Sequence, residues 1–152
     1  MKVLFVCLGN ICRSPMAEAL MRDKVKKAGL SDYISVSSAA TGSWNLGDFP
    51  HEGTQAVLND HHIDFNGIRA KKINVQDFVS YDLIIGMDAE NINNLHAIAP
   101  TEESACKIHQ LLEDFDSQEV PDPYYTGNFE LTYELINKGT DYWLDKIKKT
   151  ID

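Results

Sequence analysis

The chain has 152 residues, 43% of them hydrophobic and 24% charged, and a formal net charge of −9. That length fits one domain with a real core. The acidic balance excludes a general nucleic-acid or anionic-membrane binder, which needs a basic face; a small pocket of backbone N–H groups can still hold an anionic substrate.

Lys2–Cys7 (KVLFVC) is an apolar run of strand length with no helical period. It is too short to span a membrane and breaks at Gly9-Asn10 without a small-residue cleavage site, so it reads as a buried strand and not a signal peptide. The expected location is the cytoplasm, with leaderless export left open. Three cysteines, Cys7, Cys12 and Cys106, suit a reducing compartment and chemistry rather than a disulfide scaffold; Cys106 reads as structural. Ser14-Pro15 then marks a helix start, serine as N-cap and proline at the first helical position. Ala17, Leu20, Met21, Val25 and Ala28 recur at three- and four-residue steps up to a stop at Gly29.

Ile34–Ser38 reads as a second strand. His51–His62 reads as a helix with Ala56, Val57 and Leu58 near its buried side. Tyr81–Gly86 (YDLIIG) is a third strand, followed by a helix from Asp88 to about Ala99. Cys106–Leu111 gives a shorter fourth strand. The last helix is capped by Asn128 and carries an apolar stripe of Phe129, Tyr133, Ile136, Trp143 and Ile147. Strands alternating with helices imply a parallel sheet covered on both faces. The expected fold is therefore α/β, one three-layer domain over residues 1–152 with a four-stranded parallel sheet. Ligands in such sheets sit beyond the carboxyl ends of the strands, the end at which the Cys7 loop leaves.

Chemistry concentrates in Cys7-Leu8-Gly9-Asn10-Ile11-Cys12-Arg13-Ser14. Gly9 and Asn10 tolerate positive φ, so the loop can curl with its N–H groups inward. The helix start adds its positive dipole end, and Arg13 a planar fork for two phosphate oxygens. The same donors favour a thiolate at Cys7, which makes nucleophile and anion cradle one object. Singly each residue is ordinary; their order between a first strand and a helix start is not.

V-C-L-G-N-I-C-R-S-P-M-A-E closely resembles the active-site loop of the low-molecular-weight protein tyrosine phosphatases, a flavodoxin-like fold. Further matches are Asp122-Pro-Tyr-Tyr125, Ser37-Ser-Ala-Ala-Thr-Gly-Ser-Trp44-Asn-Leu-Gly and Met87-Asp-Ala-Glu-Asn91, so the resemblance spans nearly the whole chain. It implies that Cys7 attacks phosphorus to form a phosphocysteine and that Arg13 and the loop N–H groups, from Leu8 to Cys12, hold the equatorial oxygens. Ser14 would then hydrogen-bond Cys7 and Asn10 brace the loop. Asp122 would act as general acid and then as base, aimed by Pro121 and Pro123. Trp44, Tyr124 and Tyr125, with Leu8 and Ile11, would wall a pocket deep enough for phosphotyrosine. Asp88 would fix the loop or Arg13, or cap the helix it precedes. The second loop cysteine, Cys12, would form a disulfide with the nucleophile and shield it from overoxidation.

The same resemblance implies phosphotyrosine proteins as substrates, no nucleic-acid or membrane partner, and a monomer, weak self-association being left open. No cofactor or metal is expected: His61-His62 lacks a paired ligand spacing. The cluster Arg69, Lys71 and Lys72 reads as a solvated face. In one departure, the histidine that supports the loop in some family members has no counterpart in Asn66-Gly67-Ile68-Arg69. Two rivals share parts of the pattern. A thioredoxin-coupled arsenate reductase wants a further downstream cysteine pair, and only Cys106 is there; a phosphoryl carrier explains the loop but not Asp122. The nucleotide-binding G-x-x-x-x-G-K-[ST] motif is absent.

Overall fold

The computed structural model describes residues 1–151. Its sheet has four strands: β1 (Lys2–Cys7), β2 (Ser35–Ala40), β3 (Leu83–Gly86) and β4 (Ile108–Gln110). They lie in the order β2-β1-β3-β4, all pairs parallel. β1 is central because it can bury both faces: Val3, Phe5 and Cys7 enter one apolar cluster, Leu4 and Val6 the other. Helices α1 (Arg13–Lys27), α2 (Glu52–Asp60) and α7 (Phe129–Ile151) supply the larger cluster, which holds Met16, Leu20, Leu58, Ile136 and Trp143. The smaller cluster gathers Phe78 of α3 (Asp77–Ser80) and Leu95 of α4 (Ala89–Ile98) against Ile84. Two further short helices, α5 (Glu102–Ala105) and α6 (Pro123–Thr126), complete the chain. Among the described residues no helix is long and apolar enough to cross a membrane.

The α/β class, the parallel sheet and the stop at Gly29 (φ 72°) stand as expected. Several details differ. α1 begins at Arg13, with Cys12 at the cap position and no side-chain cap, so Ser14 lies inside the helix and is not its N-cap. β2 runs two residues beyond Ser38, since Ala39 and Ala40 pair with Val6 and Cys7 and are buried by that pairing. Ala28 and Ala56 are exposed and contribute nothing to their helices' buried sides. Cys106 is exposed at the end of α5, so it is not a core-packing thiol. Asn128 caps α7 as expected, its Oδ1 accepting from Leu131 N at 3.0 Å.

Candidate active site

β1 ends at Cys7, and the loop to α1 leaves from the middle of the sheet, beside the point where the order runs from β1 to β2 on one side and β3 on the other. The loop is fastened by its carbonyls. Thr41 N donates to Cys7 O (3.1 Å), Gly42 N to Leu8 O (2.9 Å) and His51 N to Ile11 O (2.7 Å). The N–H groups of Leu8 to Cys12 meet no protein acceptor among the described residues. Outward carbonyls and unclaimed amides make an anion-binding concavity at the start of α1.

The curl rests on one left-handed residue. Asn10 takes φ 56°, whereas Gly9 is not in the positive-φ region. At Gly9 a Cβ would stand 2.8 Å from Asn45 Nδ2, so the tip of that side chain would have to shift. The buried Asn10 side chain holds its own strained backbone. Its Nδ2 donates to Ser14 Oγ (2.7 Å) and Ser38 Oγ (2.9 Å), and its Oδ1 accepts from Lys71 N (3.0 Å). Lys71 N therefore occupies a position on the loop network where the sequence offers no histidine. The Arg69, Lys71 and Lys72 side chains are exposed, as expected of a solvated face. Ser14 Oγ, already accepting from Asn10, lies 3.0 Å from Cys7 Sγ and has its own proton free for the sulfur.

Arg13 is 3% exposed and is pinned by one edge. Its Nη1 donates to Asp88 Oδ2 (2.6 Å) and to Val120 O (2.9 Å). Nη2 is 3.5 Å from Asp122 Oδ2, and Nε has no partner among the described residues. An orphaned buried Nε beside a weakly engaged Nη2 presents a planar fork that suits two oxygens of one anion. Burial works against this charge, but Cys7, then Asp88 and Asp122, outweigh it and hold the guanidinium above its ordinary value. Asp88 makes both contacts, since its Oδ1 also caps α4 by accepting from Asn91 N at 2.8 Å.

A cavity of about 350 Å³ opens over the loop. Cys7, Leu8, Gly9, Ile11 and Cys12 form its floor, and Trp44, Asn45, Asp122, Tyr124 and Tyr125 its walls. Trp44, Tyr124 and Tyr125 are 73%, 61% and 77% exposed, which excludes them from the core and makes them rim residues. The Trp44 ring lies against Gly42, where a Cβ would come within 1.8 Å of it. Asn10, Arg13, Ser14 and Asp88 stand behind the floor and do not line the cavity. Cys7 and Cys12 are both free and buried. Burial, reinforced by Cys7 and Asp122, pushes the Cys12 thiol up to about 12.

Two supports were not visible in the sequence. Ser38 and Glu18 extend the loop network to the surface, with Ser38 Oγ donating to Glu18 Oε1 at 2.6 Å. The Val120 carbonyl is the other, and no residue type could have signalled it.

The family described as low molecular weight phosphotyrosine protein phosphatase matches residues 2–152. The chain belongs to that family. It is 50% identical over 150 residues to the low molecular weight protein-tyrosine-phosphatase YfkJ of Bacillus subtilis strain 168, an alignment covering 97% of this chain and 96% of that protein. The YfkJ crystal structure superposes with a TM-score of 0.95 at 46% identity, over 100% of this chain and 97% of that one. Staphylococcus aureus PtpA (strain MRSA252), also a low molecular weight protein-tyrosine-phosphatase by name, is 46% identical over 149 residues, 97% of this phosphatase and 94% of PtpA. The Streptococcus pyogenes enzyme SP-PTP superposes with a TM-score of 0.86 at 42% identity, covering 95% and 91% of the two chains.

Proposed function

We propose that the phosphatase hydrolyses phosphotyrosine in proteins, and small aryl phosphates, through a phosphocysteine on Cys7. The observation that carries this is that Cys7 and Asp122 line one cavity, with the unclaimed loop amides at its floor and the free edge of Arg13 behind it, Nη2 3.5 Å from Asp122 Oδ2. In the first step the Cys7 thiolate attacks phosphorus and the aryl oxygen leaves with a proton from Asp122. The loop N–H groups and the Nε–Nη2 edge of Arg13 take up the charge on the equatorial oxygens, where fixed donors need no reorganisation. In the second step Asp122 accepts a proton from water as it attacks the phosphocysteine, releasing phosphate. Ser14 donates to the departing sulfur, while Asn10 and Asp88 hold the loop and Arg13. Leu8, Ile11, Trp44, Tyr124 and Tyr125 flank the aryl ring. Cys12, on the same floor, takes up a Cys7 sulfenic acid as a disulfide with loss of water. The enzyme acts as a cytoplasmic monomer, one domain over residues 1–152, without metal or cofactor.

The test compares phosphotyrosine with phosphoserine peptides, with arsenate reduction assayed alongside. Turnover of phosphotyrosine alone, abolished in a folded Cys7→Ser variant, is expected. Asp122→Ala should slow phenyl phosphate hydrolysis by about 10²–10⁴. Persistent activity in Cys7→Ser, or an Asp122→Ala rate equal to the parent's, would overturn the assignment.

A further inference from the structure

Backbone hydrogen bonds tie the Asp122 segment to the rest of the protein from one side only. Upstream, Val120 N donates to Met87 O and Val120 O accepts from Arg13. Downstream, the backbone bonds of α6 stay inside the turn: Tyr125 N and Thr126 N reach Asp122 O, and Gly127 N reaches Pro123 O. The Asp122 Oδ1 itself caps this turn by accepting from Tyr124 N at 3.1 Å. The far side of the turn is therefore located by packing: Pro123 is buried, and beyond it Tyr124 packs on His51. The His51 ring stacks on Phe129 (centroids 5.1 Å, 20°) and meets Tyr124 edge-on (6.1 Å, 82°). One stretch, Tyr124 to Phe129, thus closes on a single imidazole from both directions.

His51 is itself fixed to the phosphate loop through its backbone. His51 N donates to Ile11 O at 2.7 Å, and His51 Nδ1 accepts from Gly53 N at 3.0 Å as the cap of α2. Gly53 leaves room for the clamp, since a Cβ there would lie 2.5 Å from the Phe129 ring. We propose that His51 is a positioning residue, a spacer that sets the Asp122 turn at a defined distance from the Cys7 loop by holding Tyr124 and Phe129 about its ring. This rests on Asp122 being the acid. His51 acts on it through Tyr124, without lining the cavity itself.

The helix cap and the aromatic spacer are separable. His51→Asn keeps a capping acceptor and removes the ring; His51→Phe keeps the ring and removes the cap. Misplacing an acid matters only for a leaving group that needs its proton, so the readout is kcat/KM for phenyl phosphate against 2,4-dinitrophenyl phosphate. His51→Asn should lose about 5- to 10-fold on phenyl phosphate, the size of one lost aromatic contact, and under about 2-fold on the dinitrophenyl ester. His51→Phe should restore the parent's ratio between the esters even while melting earlier. Phe129→Leu, which leaves the cap untouched, should repeat the His51→Asn pattern and serves should His51→Asn fail to fold. Asp122→Asn is the reference: without a larger ester-dependent loss there, the acid assignment fails independently of His51. With that loss in place, equal losses on both esters in His51→Asn and Phe129→Leu, or none, would overturn the spacer role.

Discussion

Asp88 is the residue whose removal separates the most claims at once. One carboxylate oxygen receives Arg13 Nη1 at 2.6 Å and the other caps α4 through Asn91 N at 2.8 Å. Replacement by alanine removes an N-cap, worth about 1 kcal/mol. It also removes a hydrogen bond to a charged group, worth about 1.5–3 kcal/mol. The figure stays below that for a wholly orphaned buried charge because Val120 O and Asp122 still face the guanidinium. Asp88→Ala should therefore cost about 2.5–4 kcal/mol in urea denaturation, or roughly 5–15 °C in Tm for a domain of this size. Asp88→Asn can satisfy only one of the two donors and turns an amide N–H toward the other, so it should fall between parent and alanine variant. With Nη1 left to Val120 O alone, Arg13 is aimed less firmly, and kcat/KM for p-nitrophenyl phosphate should drop roughly 10- to 100-fold in both. An alanine variant within about 0.5 kcal/mol of the parent, the usual range for surface changes, or one with unchanged kcat/KM, would refute the double role.

Two further outcomes concern titration. Cys12, with its thiol held up to about 12, should escape iodoacetamide at pH 8 while Cys7 is alkylated, with peptide mass mapping as the check and phosphate protecting Cys7; a labelled Cys12 in folded protein would contradict its burial. Glu18 is raised by burial, against the opposing pull of Ser38, Arg22 and Lys71. A raised carboxyl contributes its stability below its unfolded value near 4.5 and loses it as pH climbs through the folded value. Glu18→Gln should accordingly gain on the parent in melting temperature at pH 7 and lose that advantage near pH 4; a gap that widens toward acid would reverse the assignment.

The parts of the fold that were legible in the sequence are those whose signal is local. KVLFVC reads as a buried strand because both its faces are apolar, and the stripe from Phe129 to Ile147 reads as a helix because its spacing repeats over about five turns. The single-turn helices α3, α5 and α6 are four residues each, too short for any period to show. The end of β2 was missed since Ser-Ser-Ala-Ala carries no strand preference and is extended only by pairing with β1. Ser14 misled for a related reason. Ser-Pro is a capping pattern, but Asn10 engages that hydroxyl and directs it to sulfur, a choice made by a side chain four residues away. The contacts of Asn10 with Ser38 and Lys71 span 28 and 61 residues, and no spacing rule reaches that far.

The order of the parts along the chain has a biosynthetic consequence. The thiol and its arginine are made within the first thirteen residues, while the groups that tie Arg13 down arrive 75 and 107 positions later. A nascent or truncated polypeptide that stops short of Val120 thus carries Cys7 without Asp122, the proton donor proposed above, and without the carbonyl that braces Arg13. On the proposed roles such a fragment is expected to be inactive, as is a chain nicked so that its C-terminal third is lost with Asp122, even though its cysteine is untouched.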